Sequence, residues 1–468
     1  MATTKKTKAT ERVRVRMYRQ GLGDCFLITI PTGKARPFYM MIDCGIVLGS
    51  PSAAVDRLQA AMADVIKTTG GEVDVLVATH EHWDHVSGFV QAWDVLKDQL
   101  KAKNVWLAWT EDPADKQAAK LRAERRTAEE AMRMAVQRLA LDGSVRTAER
   151  VESLVAFFGA TGGSTADALG NARKLGVGKP RYCEPGEPPI TLPGLDAVRF
   201  WVLGPPRDEK LIKKSNPGKG DGYGLDAGPG GSQQFLMSAM AETPDADGLA
   251  APFDEMYSIP LGRAEKVGFF GERYFGATVD EGVYDWKDKS AVADQSWRRI
   301  DGTWMESAET MALQLDSATN NTSLVLAIEI VATREVLLFP GDAQAGNWLS
   351  WQGLKWESGE TGPGLLKRTV FYKVGHHGSH NATLKEKGLE MMTSPELVAM
   401  IPVDHEMAVK KRWGKMPLPD LVARLREKTR GRVLSVDDKL MSAAELGAEW
   451  KGFAGEVTVT DLYFELSF

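Results

Sequence analysis

The stretch "VDVLVATHEHWDHVSG", residues 73–88, runs from an apolar segment straight into His80, His82, Asp84 and His85. The apolar part, 73–79, has the continuous character of a strand buried on both faces. The polar part gathers three of the seven histidines in the whole chain. Neutral imidazole and carboxylate are the ordinary ligands of zinc and similar divalent ions. In an extended or tightly turning loop, residues two apart point the same way, so His80 and His82 can chelate one ion. Asp84 and His85 then turn toward a neighbouring position, and Gly88 lets the chain leave the loop. The alternative is a solvated polar loop, but its place at the end of a buried strand favours a metal site.

A second group, "KVGHHGSHN" at 373–381, holds His376, His377 and His380, so six of the seven histidines fall in two clusters. It also follows an apolar strand, with Gly375 and Gly378 permitting close approach and unusual dihedral angles. Asp342, in "LLFPGDAQ", sits at a third strand end, where a carboxylate can bridge two ions or simply cap a turn. His405, in "PVDHEMAVKK", follows another strand and reads more readily as a solvated loop histidine.

The rest of the 468-residue chain is ordinary in composition, with 43% hydrophobic and 26% charged residues. A net charge of −5 excludes a generally basic nucleic-acid binder and leaves room for a local basic groove. No apolar run is long enough for a membrane span, and the N-terminus lacks the apolar region of a secretory signal. Three widely spaced cysteines, Cys25, Cys44 and Cys183, argue against a disulfide framework and for a reducing, cytoplasmic setting. Strands are predicted at 12–18, 24–30, 37–43, 73–79 and 104–109, with helices at 51–68 and 86–100 between them. Strands return at 322–330 and 335–342, followed by the segments 368–381 and 397–405, then a helix at 418–429, and closing strands near 432–436 and 456–468. Two segments interrupt this order. Residues 112–180 are rich in Ala, Arg, Glu and Met and carry Val151, Leu154, Val155 and Phe158 at helical spacing. Residues 205–315 are rich in Gly and Pro and read as irregular. The whole is an α/β pattern of two sheets flanked by helices over 12–468, with these two insertions.

The motifs "HEHWDH", "FPGDA" and "GHHGS", in that order, resemble the metallo-β-lactamase superfamily of metal-dependent hydrolases. The closer resemblance is to the branch that contains the hydrolase domain of ComEC-type competence proteins. It is carried by "YRQGLGDCFLITI", "FYMMIDCG", "NNTSLVLAIEI" before "LLFPGD", and "YKVGHHGSH", and covers about 12–110 and 320–430. The resemblance implies a four-layer αβ/βα sandwich with two zinc ions, or manganese in their place, at one edge of the sheets. It assigns His80 and His82 to the first ion, and Asp84, His85 and His377 to the second, with Asp342 bridging. His376 would then face substrate, although the reverse assignment of His376 and His377 stands open. Relatives supply a further histidine between the first motif and the Gly-Asp; this chain has none between His85 and His376. Cys183, Glu111, water or a substrate phosphate would have to replace it, or a single ion would serve. Lys415, in "RWGKMPLP", stands near the place where relatives carry another histidine.

With two ions about 3.5–4 Å apart, a bridging water loses its proton near neutral pH and becomes the nucleophile. Asp84 would orient it or accept its proton, and His376, His380 or Lys415 would assist the leaving group. Basic residues near the site loops, Lys373, Lys410, Lys411, Arg412 and Lys415, favour a phosphodiesterase or nuclease with a phosphodiester or nucleic-acid substrate. Cleavage of an ester, lactone or thioester is the alternative within hydrolases. A non-catalytic module that binds metal or nucleotide, with the insertions holding a protein partner, is the alternative outside them. The lack of spans argues against a membrane association.

Overall fold

In the computed structural model, residues 12–141, 159–160, 163–217, 263, 266–268, 318–411 and 416–468 are described. The chain divides into two compact units. The first combines Met1–Arg125, Ala156–Ala227 and Leu315–Phe468; the second combines Arg126–Val155 and Gly228–Gln314. Of the second unit, the described residues are the later part of the helix Lys116–Leu141, with Arg263 and residues 266–268. The helical positions Val151, Leu154, Val155 and Phe158, and most of the 205–315 segment, lie outside the described residues.

The first unit is built on two mixed sheets. The first contains β1 (Arg14–Tyr18), β2 (Cys25–Ile30), β3 (Phe38–Cys44), β4 (Glu72–Val77) and β5 (Lys101–Ala108). A two-residue pair, β6 (Gly159–Ala160) and β7 (Gly163–Ser164), stands apart from both sheets. The first sheet is completed by β8 (Arg181–Cys183), β16 (Val457–Val459) and β17 (Tyr463–Ser467), in the order β16-β17-β1-β2-β3-β4-β5-β8. The second contains β9 (Ile190–Leu192), β10 (Leu195–Gly204), β11 (Val325–Ile330), β12 (Val336–Phe339), β13 (Thr369–Lys373), β14 (Val398–Ile401) and β15 (Val433–Ser435), in the order β15-β14-β13-β12-β11-β10-β9. Each sheet is antiparallel on one side and parallel on the other: β3, β4, β5 and β8 run parallel, as do β12, β13, β14 and β15.

Alternation within the strands makes the layers. Val75 and Val77 face the space between the sheets together with Phe26, Phe200, Phe339 and Phe371. Leu76 and Ala78 face outward, against Leu58, Met62 and Val65 of the helix Ser52–Thr69. The outer face of the second sheet is covered in the same way by Trp348 and Trp351 of Ala345–Trp351, Leu365 of Gly362–Lys367, and Leu421 and Leu425 of Pro419–Lys428. The result is an α/β sandwich. Parallel neighbours need crossovers, and the helices on the outer faces supply them. The helix Thr165–Leu175, within the segment 112–180, packs Ala168, Leu169 and Ala172 on the outer face of the first sheet.

Two elements differ from expectation. The predicted helix 86–100 is three short pieces, Trp83–Val86, Gly88–Gln91 and Trp93–Leu96. Ala92, with φ −111° and ψ 17°, breaks the run. Strands β9 and β10 lie in 190–204, where the sequence reading places no strand. Among the described residues no helix is long and apolar enough to cross a membrane.

Asp74 on β4 ties the edge of the first sheet together. Its Oδ2 accepts from the Tyr39 N–H at 2.9 Å and from Arg36 at 2.7 Å, and its Oδ1 accepts from Lys103 at 2.9 Å. Burial alone would raise this carboxyl, but the hydrogen bonds from Lys103, Tyr39 and Arg36 hold it below the ordinary value. Because the folded-state pKa is depressed, the stabilisation is present above the unfolded value of about 3.9 and is lost as pH falls through the folded value. Asp74→Asn should therefore cost about 1–2 kcal/mol at pH 7 by urea unfolding. The gap to wild type should narrow toward pH 3; a gap independent of pH would contradict the assignment.

Candidate metal centre

The parallel strands of both sheets end at one edge, where ligands gather in open α/β sheets. Asp43 lies near the end of β3, and the loop carrying His80, His82, Asp84 and His85 follows β4. Asp342 follows β12, and His376 and His377 follow β13. The antiparallel strands contribute from their starts: Asp24 precedes β2, and Asn320 precedes β11. The two sheets are laced at this edge by the Leu324 N–H, which donates to the Thr79 carbonyl at 2.8 Å; within the first sheet the Asp24 N–H donates to the Asp84 carbonyl at 3.0 Å.

Here Asp84, His85, Asp342 and His377 come together, all buried, each with a ligand atom within 4.8 Å of the others. His377 Nε2 lies 2.7 Å from Asp84 Oδ2, and His85 Nε2 lies 3.0 Å from Asp342 Oδ2. The second contact is not aligned as a hydrogen bond. Asp84 Oδ1, His85 Nε2 and Asp342 Oδ2 are buried with no hydrogen-bond partner. Buried polar atoms are seldom left so, and three on one cluster are what a shared cation would satisfy.

The outer partners fix the imidazoles. His85 Nδ1 donates to Asp43 Oδ2 at 2.8 Å, while Asp43 accepts from the Thr79 N–H and hydroxyl, each at 2.7 Å. His377 Nδ1 donates to the Pro402 carbonyl at 2.7 Å. Both rings thus donate through Nδ1 and turn Nε2 to the cluster, the arrangement by which a second layer of hydrogen bonds orients metal-binding histidines.

His80 and His82 stand beside this group. The His80 and His85 ring centroids are 4.2 Å apart. His80 Nε2 lies 3.1 Å from His82 Nδ1, which also lies 2.9 Å from Asn320 Oδ1. Among the described residues, no third His, Cys, Asp or Glu joins these two in a ligand group. Cys183, offered as a replacement, is packed in the core between the sheets, and burial pushes its thiol up to about 12. Glu111 lies 3.7 Å from Arg173. Neither belongs to the cluster.

His376 takes a different part. Its N–H donates to Asp342 Oδ1 at 2.9 Å, its Nδ1 donates to Ser379 Oγ at 2.9 Å, and its Nε2 lies 3.4 Å from Asn320 Nδ2. Asn320 therefore spans His82 and His376. His376 and His377 have φ of 44° and 52°, and Asp43 has 56°. The left-handed region costs an L-residue about 1–3 kcal/mol and is concentrated at functional sites. The carbonyl carbon of Asp84 lies 2.2 Å from where a side chain on Gly45 would begin, so the metal-site loop rests directly on that backbone.

Four buried carboxylates, Asp24, Asp43, Asp84 and Asp342, face one buried ammonium, Lys373. Isolated charges cannot be left in a low-dielectric interior. Burial would lower His85, yet Asp342, Asp24, Asp43 and Asp84 raise it well above the ordinary histidine value. Burial likewise opposes protonation of His377, and the hydrogen bond and charge of Asp84 outweigh it. The site attracts positive charge, and its buried His and Asp groups have the donor set to hold a metal ion.

The remaining expectations are placed as follows. Lys373, counted as a substrate-facing cation, is buried and donates to Asp342 and the Gly341 carbonyl. Lys410 is exposed and pairs with Glu406 at 3.1 Å, and Lys411 is half-buried. His380 is exposed, and the exposed His405 pairs with Asp437 at 2.6 Å. Arg412 and Lys415 lie outside the described residues. Asp24, Asp43, Thr79 and Asn320 were not foreseen as site residues, although "GDC" and "IDCG" repeat the strand-end Asp seen in "PGDA".

Burial would raise Asp84, but the charge of His85 and the hydrogen bond and charge of His377 outweigh it and hold this carboxyl well below the usual carboxylate range. In the presence of a chelator, Asp84→Asn should therefore unfold at lower urea than wild type, by about 1–3 kcal/mol. Addition of Zn²⁺ should widen the gap, because wild type gains more from binding. A variant as stable as wild type under chelator would show that the charge of Asp84 is not balanced by these histidines.

No protein-family model matches the chain, and no curated protein matches it significantly in sequence.

Proposed function

We propose that the chain is a metal-dependent hydrolase of the metallo-β-lactamase superfamily, acting on phosphodiesters. One observation carries the reading. Asp84, His85, Asp342 and His377 converge from three strand-end loops, buried, with three of their ligand atoms lacking any hydrogen bond. Mixed imidazole and carboxylate donors suit Zn²⁺ first and Mn²⁺ second. His80 and His82 lie alongside as two ligands for a second ion, and the absence of a third among the described residues favours one firmly held ion.

A divalent ion in such a set supplies Lewis acidity and lowers the pKa of water in its reach. The protein groups then divide the remaining work. Asp84 and His377, in contact through Oδ2 and Nε2, would help to hold the ion, and Asp84 would orient the attacking water or accept its proton. Burial pushes His376 down to about 4, so it is neutral at pH 7. Its Nδ1 proton goes to Ser379, which makes Nε2 a hydrogen-bond acceptor rather than a proton donor. Assistance to the leaving group then falls to another group. The substrate class rests on the resemblance of the motifs, since Lys373 is taken up within the protein.

The test is hydrolysis of bis(p-nitrophenyl) phosphate with added Mn²⁺ or Zn²⁺, set against a panel of lactones and thioesters. Wild type should turn over the diester, and His85→Ala should lower kcat/KM by at least about 10³-fold. Turnover of lactone without diester would move the substrate class to carboxylic esters. No turnover and no bound metal would leave a non-catalytic binding module.

A further inference from the structure

Lys373 ends β13 with its side chain 1% exposed, where a charged group is seldom found unless it is fully partnered. An ammonium has three N–H donors, and here three acceptors are present. Asp24 Oδ2 lies at 2.5 Å, Asp342 Oδ1 at 3.0 Å and the Gly341 carbonyl at 2.8 Å. No donor remains for a substrate.

The consequence falls on Asp342. Its Oδ1 accepts from Lys373 and from the His376 N–H, while its Oδ2, the atom facing His85, has no hydrogen bond. Asp24 comes from the first sheet and Asp342 from the second, so the ammonium also fixes the two loops against each other. Asp24 is itself anchored, since its N–H donates to the Asp84 carbonyl at 3.0 Å and its carbonyl accepts from Gly45 at 2.9 Å.

We propose that Lys373 is a positioning residue of the metal centre: braced by Asp24, it occupies one oxygen of Asp342 and so presents that carboxylate to the ion through Oδ2 alone. This rests on the reading of the cluster as a metal site. It accounts for a lysine beside the histidine motif that touches neither solvent nor any place open to substrate. Outer-layer partners of this kind typically change metal affinity by about 10–100-fold when removed.

The informative variant is Asp24→Asn with Lys373→Met. It removes one buried anion and one buried cation together, so the balance of buried charge is unchanged, and Asp342 Oδ1, which loses the ammonium, keeps the His376 N–H. Three measurements are made on the full chain: the urea midpoint under chelator, Zn²⁺ affinity by competition with a chromophoric chelator, and the visible spectrum of the Co²⁺-loaded protein. The double variant should keep a urea midpoint close to that of wild type. It should bind Zn²⁺ about 10–100-fold more weakly and show a shifted Co²⁺ band, because Asp342 is free to rotate or to bind through both oxygens. Wild-type affinity with an unchanged spectrum in the double variant would overturn the role of Lys373 and leave the metal site standing. Failure of wild type itself to bind Zn²⁺ or Co²⁺ would remove the metal reading and this inference with it.

Discussion

The constraint on which the structure turns is a concentration of buried negative charge at the shared edge of two sheets. Asp24, Asp43, Asp84 and Asp342 are withdrawn from water within reach of one ammonium and a few imidazoles. Such a set is tolerable only if each oxygen is hydrogen-bonded or shared with a cation. Thr79 and His85 serve Asp43, Lys373 serves Asp24 and one oxygen of Asp342, and His377 serves one oxygen of Asp84. What is left over is Oδ1 of Asp24, Oδ1 of Asp84 and Oδ2 of Asp342.

The sandwich makes that concentration geometrically possible. Parallel strands deliver the residues after their C-terminal ends to one edge, and antiparallel neighbours deliver the residues before their starts to the same edge. Side chains far apart in sequence meet there without long excursions of the loops. The left-handed backbone at Asp43, His376 and His377 is the local cost of turning these side chains inward, and the cores on both faces of each sheet are extensive enough to hold it.

Much of this was legible in the sequence, and for identifiable reasons. Histidine is rare in this chain, so two clusters at apolar strand ends stand out, and the strands carrying them show their burial as uninterrupted apolar runs. The layer around the ligands was harder to see. Asp24 follows Gly23 just ahead of a strand, and Asp43 stands two residues before Gly45 near the end of one, where an aspartate equally serves a turn. Lys373 sits beside "VGHHG" and invites the reading of a substrate cation. Only its enclosure by residues from both sheets shows that its donors are consumed. The helix over 86–100 carried apolar residues at fitting intervals, but periodicity does not register a break such as that at Ala92. Strands β9 and β10 were hidden because turn residues on either side of a short apolar run obscure it.

The centre draws on widely separated parts of the chain. Asp84 and His377 are 293 positions apart, and the hydrogen bond between Arg16 and Glu465 spans 449. During synthesis, the loop of His80 to His85 therefore exists long before its partners do. The first sheet, too, has β1 as an open edge until β17 arrives at the far end of the chain. Exposed edges and unsatisfied buried charge both favour association with other chains while folding is incomplete. The cluster consequently cannot close until His377 has been made, well after the loop that carries Asp84 and His85.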